Sequence, residues 1–400
     1  MRIGRTLPPA AAPLSWRDLY HGVIGSFFPK RSVQALEEEI RLHFGVKHVF
    51  LVSSGKAALA LTLMALKSLS DKTEVVIPAY TCFSVPAAVL KAGLRPVLCD
   101  INDSTFDFEH ALLEKTLDSN TLCVVAHHLF GVPSDIERTR ALCQARGIFV
   151  IEDAAQAMGA RSRGRHLGTL GDVGIFSLGR GKNITCGSGG IIVTNSDRIA
   201  EAIGNQCRGL GISSLAELAD FLQVVLMAIF IRPRLYWIPA AIPGLRLGET
   251  IFPKKIRLMR LSGMKAGLLR NWQTRLAQAN RSRSDTAAYF SQRLTLAVAQ
   301  GGSHPYLRLP IFVTTPGARA FWRERGLGLS LAYPTPINEI PEIRRVFDGK
   351  RFPSARRVAD HLLTIPTHHW LTEKDRSALV ECVGTGARAV CPPEEWRRVS

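Results

Sequence analysis

The chain has 400 residues, 46% of them hydrophobic and 21% charged, a balance that excludes a disordered chain and supports a large buried core, ordinarily in two domains. Eight cysteines lie scattered, with no CxxC pair and no Cys/His cluster at metal spacing, which points to reduced thiols in a cytoplasmic protein and away from a zinc site. The net charge of +18 is uneven: residues 1–200 carry 22 basic and 18 acidic side chains, and residues 201–400 carry 29 and 15. Between 232 and 283, twelve Lys or Arg stand against one acid, Glu249. This reads either as a solvated basic face or as attraction to a polyanion, such as a diphosphate-linked sugar or an anionic lipid surface. No zinc finger, RNA-binding signature or basic–aromatic alternation accompanies the charge, so nucleic acid ranks last.

In chain order, MRIGRTLPPAAAPLSW is basic but lacks the apolar run of a signal peptide, and 1–35 reads as an N-terminal arm. From 47 onward short apolar runs alternate with helical stretches. Strands are expected at 47–52, 74–77, 96–99, 122–126, 148–152, 173–177 and 190–194, with amphipathic helices at 56–69, 83–92, 108–117, 135–146 and 197–206. Such alternation implies an α/β domain with a mainly parallel seven-stranded sheet covered by helices on both faces. In these sheets ligands sit beyond the carboxyl ends of the strands.

The segment FLQVVLMAIFI (221–231) has one polar side chain in eleven residues, too short a run to cross a bilayer. It reads as a buried core or dimer-interface helix. The alternative is an interfacial segment on a membrane, with Tyr236, Trp237 and nearby basic residues at headgroup level. Residues 260–300 read as one long helix leading into a mixed C-terminal part. The expected division is a large α/β domain at 1–250, with an insertion at 215–250, and a smaller α+β domain at 251–400.

The chemistry concentrates in Ile151-Glu152-Asp153-Ala154-Ala155-Gln156, FSLGRGKN (176–183) and GSGG (187–190). An acid ending an apolar strand, a Ser-flanked turn with one lysine and a glycine cluster are the parts that pyridoxal phosphate chemistry needs. A lysine such as Lys182 holds the aldehyde as a Schiff base, a carboxylate such as Asp153 keeps the ring nitrogen protonated, and small residues admit the phosphate. Lys182 must be neutral to attack, so burial or nearby positive charge must lower its pKa. Gln156, three residues past Asp153, is placed on the same helical face. Gly55-Lys56-Ala57 at a helix start and the Ser177 hydroxyl form the expected phosphate site.

Read together, SSGKAAL (53–59), IPAYT (77–81), RPVLCDI (95–101), HHLFG (127–131), EDAAQAMGA (152–160), LGDVGIFSLGRGKN (170–183) and GSGGIIVTN (187–195) resemble the pyridoxal-phosphate-dependent nucleotide-sugar aminotransferases of the DegT/DnrJ type. The resemblance runs over most of 35–205, with a weaker echo at 351–375. It implies fold type I, Lys182 as the cofactor lysine, Asp153 on the ring nitrogen and Gln156 on the phenolic oxygen. Lys56 stands where the family usually has a hydroxyl residue. Cys82, with Phe83 next to it, occupies the place of a ring-stacking aromatic. Leu258, flanked by Arg257 and Arg260, occupies that of an Asn reaching the partner subunit's phosphate, and Ser188 replaces a glutamate. His127 and His128 read as shape and hydrogen-bond elements rather than acid–base groups, and Arg208 as a candidate for a donor carboxylate.

By resemblance the partners are an amino-acid donor such as glutamate, a keto-sugar on a nucleotide carrier and a second subunit completing the site. The setting implied is surface polysaccharide or related sugar assembly, in the cytoplasm or at the inner face of the membrane. Two rivals stand beside this reading. One is a sugar dehydratase, which by resemblance carries His in place of Lys182. The other is a non-catalytic, cofactor-binding regulatory or membrane-associated scaffold.

Overall fold

The computed structural model describes residues 3–386 except 213, 246, 249, 295–303, 314–325 and 348. Two helices open the chain, α1 (Trp16–Phe27) and α2 (Pro29–Phe44), where the sequence reading leaves an arm at 1–35. Their signals are short-range. Ser15 and Asp18 cap α1 reciprocally, Pro29 begins α2 and the left-handed Gly45 closes it.

The sheet then forms from β1 (His48–Val52), β2 (Glu74–Pro78), β3 (Arg95–Cys99), β4 (Thr121–His127), β5 (Phe149–Asp153), β8 (Val173–Ser177) and β9 (Gly190–Thr194). A two-residue hairpin, β6 (Arg161–Ser162) with β7 (Arg165–His166), intervenes between β5 and β8. The strand order is β1-β9-β8-β5-β4-β2-β3. From β8 to β3 every pairing is parallel, whereas β9 runs antiparallel to both β8 and β1. The connecting helices are α3 (Gly55–Lys67), α4 (Ser84–Lys91), α5 (His110–Thr116), α6 (Ile136–Gln144) and α7 (Asp197–Cys207). All seven expected strands and all five expected helices are present, with ends displaced by no more than two residues.

Alternate strand residues face two separate apolar layers. Val75 and Ile77 of β2 join one with α3, while Val76 joins the other with α2. A sheet buried on both faces needs β-branched runs rather than alternation, and these strands supply them.

Two elements depart from the sequence reading. The apolar run 221–231 belongs to a longer helix, α8 (Ser214–Phe230). Val224 and Ala228 are buried in the second layer, whereas Leu218, Leu222 and Leu226 point to solvent one turn apart. The expected helix at 260–300, of which 295–300 lie outside the described residues, is not one helix over 260–294. It divides into α10 (Gly263–Gly267) and α11 (Trp272–Ser291), with a short α9 (Trp237–Ala240) before them. The division follows from packing: a Cβ on Gly25 of α1 would lie 2.2 Å from the Gly263 carbonyl oxygen, and one on Gly267 would lie 2.1 Å from that of His21. Backbone therefore meets backbone where α1 and α10 cross, and the chain turns at 268–271 to bury Trp272, whose Nε1–H donates to Glu39 Oε2 at 3.1 Å.

The C-terminal part contributes a two-stranded antiparallel sheet, β10 (Arg308–Phe312) with β11 (Leu362–Pro366), and helices at Pro353–His361 and Glu373–Gly386. It is fastened to the ends of the large sheet. The Asp100 carboxylate just past β3 accepts the Ser354 and Ala355 amides that open the Pro353–His361 helix, at 3.0 and 2.9 Å. The Leu307 and Ile337 amides donate to the carbonyls of Phe130 and Ala79.

Candidate active site

Parallel registry brings the strand ends together: Asp153 pairs laterally with His127 of β4 and Ile175 of β8. Beyond them lies a cavity of about 130 Å³. Asp153, Gln156, Ser177 and Lys182 line it, with Gly55 and Lys56 from the start of α3, Cys82 from the turn after β2, and Tyr333 from the C-terminal part.

The end of the cavity expected to take the phosphate is built by a close approach. A Cβ on Gly55 would lie 2.8 Å from Ser177 Cβ and 3.0 Å from its hydroxyl oxygen, so only glycine fits there. The first intrahelical bond of α3 runs from the Ala58 amide to Ser54 O. The Gly55 and Lys56 amides therefore precede the helix ladder, as an anion cradle requires. Ala57 differs from expectation: it is buried, its amide donates to Ser54 Oγ at 3.2 Å, and it does not line the cavity.

Lys182 is half-buried at the cavity and densely surrounded. Burial pulls its pKa below the ordinary 10.5 and Arg308 pulls the same way, while Cys82 and Asp153 oppose them. Its backbone is held from behind by Arg283 of α11, a fully buried guanidinium. This side chain donates to the carbonyls of Lys182 and Ala11 at 3.3 Å and of Asn183 at 3.1 Å. Burial lowers the Arg283 pKa to about 10.

Gln156 lies in an irregular turn, not on a helix, because 154–160 forms successive short turns. Its Oε1 accepts the Phe130 amide at 3.0 Å and its Nε2 donates to the Tyr333 hydroxyl at 2.8 Å. Tyr333 escaped the sequence reading. It comes from a distant segment and its local signals are only an aromatic before Pro334 and the left-handed Ala332. Cys82 lines the cavity, its sulfur 2.9 Å from Ser84 Oγ. Phe83 is buried, does not line the cavity and stacks on Tyr333 at 6.3 Å between ring centroids.

His127, which ends β4, and His128 after it each use both ring nitrogens. His127 Nε2–H donates to Phe106 O at 2.8 Å, leaving Nδ1 to accept from Thr81 Oγ1 at 3.0 Å. Burial lowers its pKa. His128 Nδ1 accepts the Ser134 amide at 3.0 Å, so Nε2–H donates to Glu152 Oε1 at 2.7 Å. Glu152, fully buried, also accepts the amides of Gly168, Leu170 and Gly171 at 2.5, 2.7 and 3.0 Å. Burial alone would raise its pKa, but these donors outweigh it and the net shift is downward. Arg208 is exposed at the end of α7 and does not line the cavity.

Two further clefts adjoin the site. Lys56 also lines one of about 420 Å³, shared with Lys255, Arg257, Arg260 and Lys265. There Lys265 Nζ reaches Ser188 Oγ at 3.0 Å and Asp220 at 2.5 Å, so α8 supplies the acid that position 188 lacks. Leu258 packs against the core between the arginines. A larger cleft, about 1390 Å³, backs onto Asn183–Thr185 and is rimmed by Arg17, Arg232 and Arg234.

A glycine at the start of α3 where a Cβ would clash, an amine whose pKa burial pulls down and a carboxylate at a strand end together fit pyridoxal phosphate. Known proteins agree. The family profile described as DegT/DnrJ/EryC1/StrS aminotransferase matches residues 25–384. A "pleiotropic regulatory protein" of Geobacillus stearothermophilus is 27% identical over 361 residues, 87% of each chain. A UDP-N-acetyl-3-dehydro-alpha-D-glucosamine 3-aminotransferase of Acidithiobacillus ferrooxidans is 38% identical over 170 residues, 42% of this chain and 46% of that one. Among solved structures, the sugar aminotransferase CalS13 of Micromonospora echinospora superposes with a TM-score of 0.77 at 23% identity, covering 95% of this chain and all of that one. With the site's chemistry and these likenesses in accord, the chain belongs to the DegT/DnrJ/EryC1/StrS aminotransferase family, whose cofactor is pyridoxal phosphate.

Proposed function

We propose that the protein moves an amino group from an amino acid, glutamate first, to a keto-sugar carried on a nucleotide. The observation that carries this reading is Lys182, its pKa pulled down by burial, facing Asp153 across one small cavity. When bound, the cofactor supplies an electron sink at the carbon being aminated or deaminated. The chain does the rest. Gly55 and Lys56 amides and the Ser177 hydroxyl hold the phosphate, and Asp153 offers its carboxylate to a protonated ring nitrogen. Gln156, already fixed by Phe130 and Tyr333, orients toward the phenolic oxygen. Lys182 Nζ would hold the cofactor's aldehyde, and the same amine would carry a proton to and from the substrate α-carbon. The arginine-rimmed cleft behind Asn183 has the charge and size for a nucleotide diphosphate.

A homodimer completes this reading. The exposed Leu218, Leu222 and Leu226 stripe suits a second copy, and the Arg257–Arg260 segment suits a partner's phosphate. The competing occupant of that stripe is an anionic membrane, beside the exposed Arg232 and Arg234; no described helix is long and apolar enough to cross one. Leu222→Ser/Leu226→Ser should elute at half the wild-type mass in gel filtration. An unchanged elution volume would reject the stripe as the interface, and co-flotation of wild type alone with anionic vesicles would assign it to lipid.

The visible spectrum with pyridoxal phosphate tests the reaction. Wild type should show a lysine-bound cofactor band that glutamate discharges, and Lys182→Ala should lack it. A band that no amino acid discharges would favour the regulatory role named for the Geobacillus relative.

A further inference from the structure

The solvent face of α1 is apolar where a surface helix should be polar. Within Trp16–Phe27 the buried residues are Asp18, Leu19, Gly22 and Gly25, the last of them set against the Gly263 backbone. On the opposite side Trp16, Tyr20, Val23, Ile24 and Phe27 are exposed, and they fall within an arc of about 100° along a rod of about 18 Å. Trp16 is 65%, Tyr20 63% and Phe27 74% exposed, and Phe28 follows at 57%. Rings left in water forfeit the largest apolar burial that side chains offer. A contiguous patch of them marks a surface that meets another apolar surface.

The charge around the stripe has one sign. Between Ser15 and Val33 the bases Arg17, Lys30 and Arg31 are all exposed, whereas the one acid, Asp18, is buried and paired with Arg275 at 3.1 Å. Ile24 and Phe28 continue into a cleft of about 300 Å³ with Arg31 and Arg270. The Glu39 carboxylate in that cleft is already engaged, by Arg270 at 3.6 Å and by Trp272 Nε1–H at 3.1 Å. A two-fold partner seated on the stripe would therefore bring cation against cation. The leucine stripe of α8 is the opposite case, because its helix carries Glu217 and Asp220 and no base. Of the two faces, α1 has the rings and the charge to meet an anionic, apolar surface.

We propose that α1 is an interfacial anchor that lays its aromatic face on an anionic lipid bilayer. Trp16, Tyr20, Phe27 and Phe28 enter the boundary between headgroups and acyl chains, and Arg17, Lys30 and Arg31 meet the lipid phosphates. The contact is peripheral, since a twelve-residue helix lies in the interface plane and no described helix can cross a bilayer. Arg17 also rims the cleft of about 1390 Å³, so docking holds that rim beside the headgroups. The anchor depends on α1 and its flanks alone and stands apart from the amino-transfer reading.

Flotation of the full chain with lipid vesicles tests the anchor. Wild type should float with vesicles of equal parts phosphatidylglycerol and phosphatidylcholine at low salt, and stay at the bottom with phosphatidylcholine alone. Trp16→Ser/Phe27→Ser, at two exposed positions, should melt as wild type does and partition at least about tenfold more weakly. Lys30→Gln/Arg31→Gln keeps every ring and should also lose about tenfold or more with the anionic vesicles. Leu222→Ser/Leu226→Ser should float like wild type. Wild type that floats with neither vesicle, or equally with both, overturns the proposal. So does a Trp16→Ser/Phe27→Ser protein that melts and floats as wild type does. If that variant melts early, Lys30→Gln/Arg31→Gln decides, and undiminished flotation rejects the anchor. Flotation lost only by the α8 variant would move the lipid contact to α8. Wild type that stays unbound while Trp16→Ser/Phe27→Ser elutes at half its mass would give the stripe to a second copy.

Discussion

Lys182 is set by residues that never touch a substrate. Arg283 donates its hydrogen bonds to neutral carbonyl oxygens, and two of them fix the Lys182–Asn183 backbone. Replacing it with Met should keep the fold and slow cofactor loading at least tenfold, measured by growth of the visible band; unchanged loading would make Arg283 a packing residue only. Loading should also depend on pH with a midpoint below the ordinary lysine value of 10.5, because burial disfavours the ammonium. Asp153 pulls that pKa upward, so Asp153→Asn should move the midpoint to still lower pH; a shift the other way would place the carboxylate elsewhere. At the phosphate end, Gly55→Ala should weaken phosphate and cofactor binding together, since the new methyl meets Ser177.

Elements were easier to read than their contacts. The strands from 48 to 194 announce themselves because both their faces are buried, and Lys182 and Asp153 lie in local motifs beside them. Tyr333, Arg308 and Arg283 approach from 100 residues or more away in sequence, and nothing at short range marks their destination. Gln156 was misplaced because a helical face was assumed where the chain instead turns repeatedly. The 260–300 segment misled for a related reason: Gly263 and Gly267 look like tolerable helix residues until α1 is laid across them. Gly25→Ala should therefore destabilise the protein by roughly 1–3 kcal/mol, through overpacking of the α1–α10 crossing, in urea unfolding. Glu152 works at the same scale, gathering His128 and the 168–171 turn beneath the site. Glu152→Gln should cost about 3 kcal/mol, the cost of breaking a buried charged network, and a variant as stable as wild type would mean that the turn is held by other contacts.

Across the whole molecule the N-terminal strand of chain acts as a tie. Arg5 pairs with Asp375, Leu7 donates to Gly326 O, and Pro8 O accepts from His368 Nε2–H at 2.9 Å. Burial lowers the His368 pKa from 6.5 to about 4. The unfolded chain therefore takes up a proton before the folded one does. Stability should be full above pH 6.5 and decline as pH falls toward 4, by on the order of 3 kcal/mol. His368→Gln should flatten that decline in thermal melts taken at pH 7, 6 and 5. The sheet's connectivity has a consequence for synthesis. Within the sheet β1 pairs with β9, His48 opposite Thr194, and Val52 is bridged to Arg260 still later in the chain, so the first strand leaves the ribosome roughly seven to thirty seconds before its sheet partner at ~5–20 residues per second. Through that interval an apolar edge, HVFLV, waits unpaired, and the nascent chain is a natural client for a holding chaperone until β9 arrives to close the sheet.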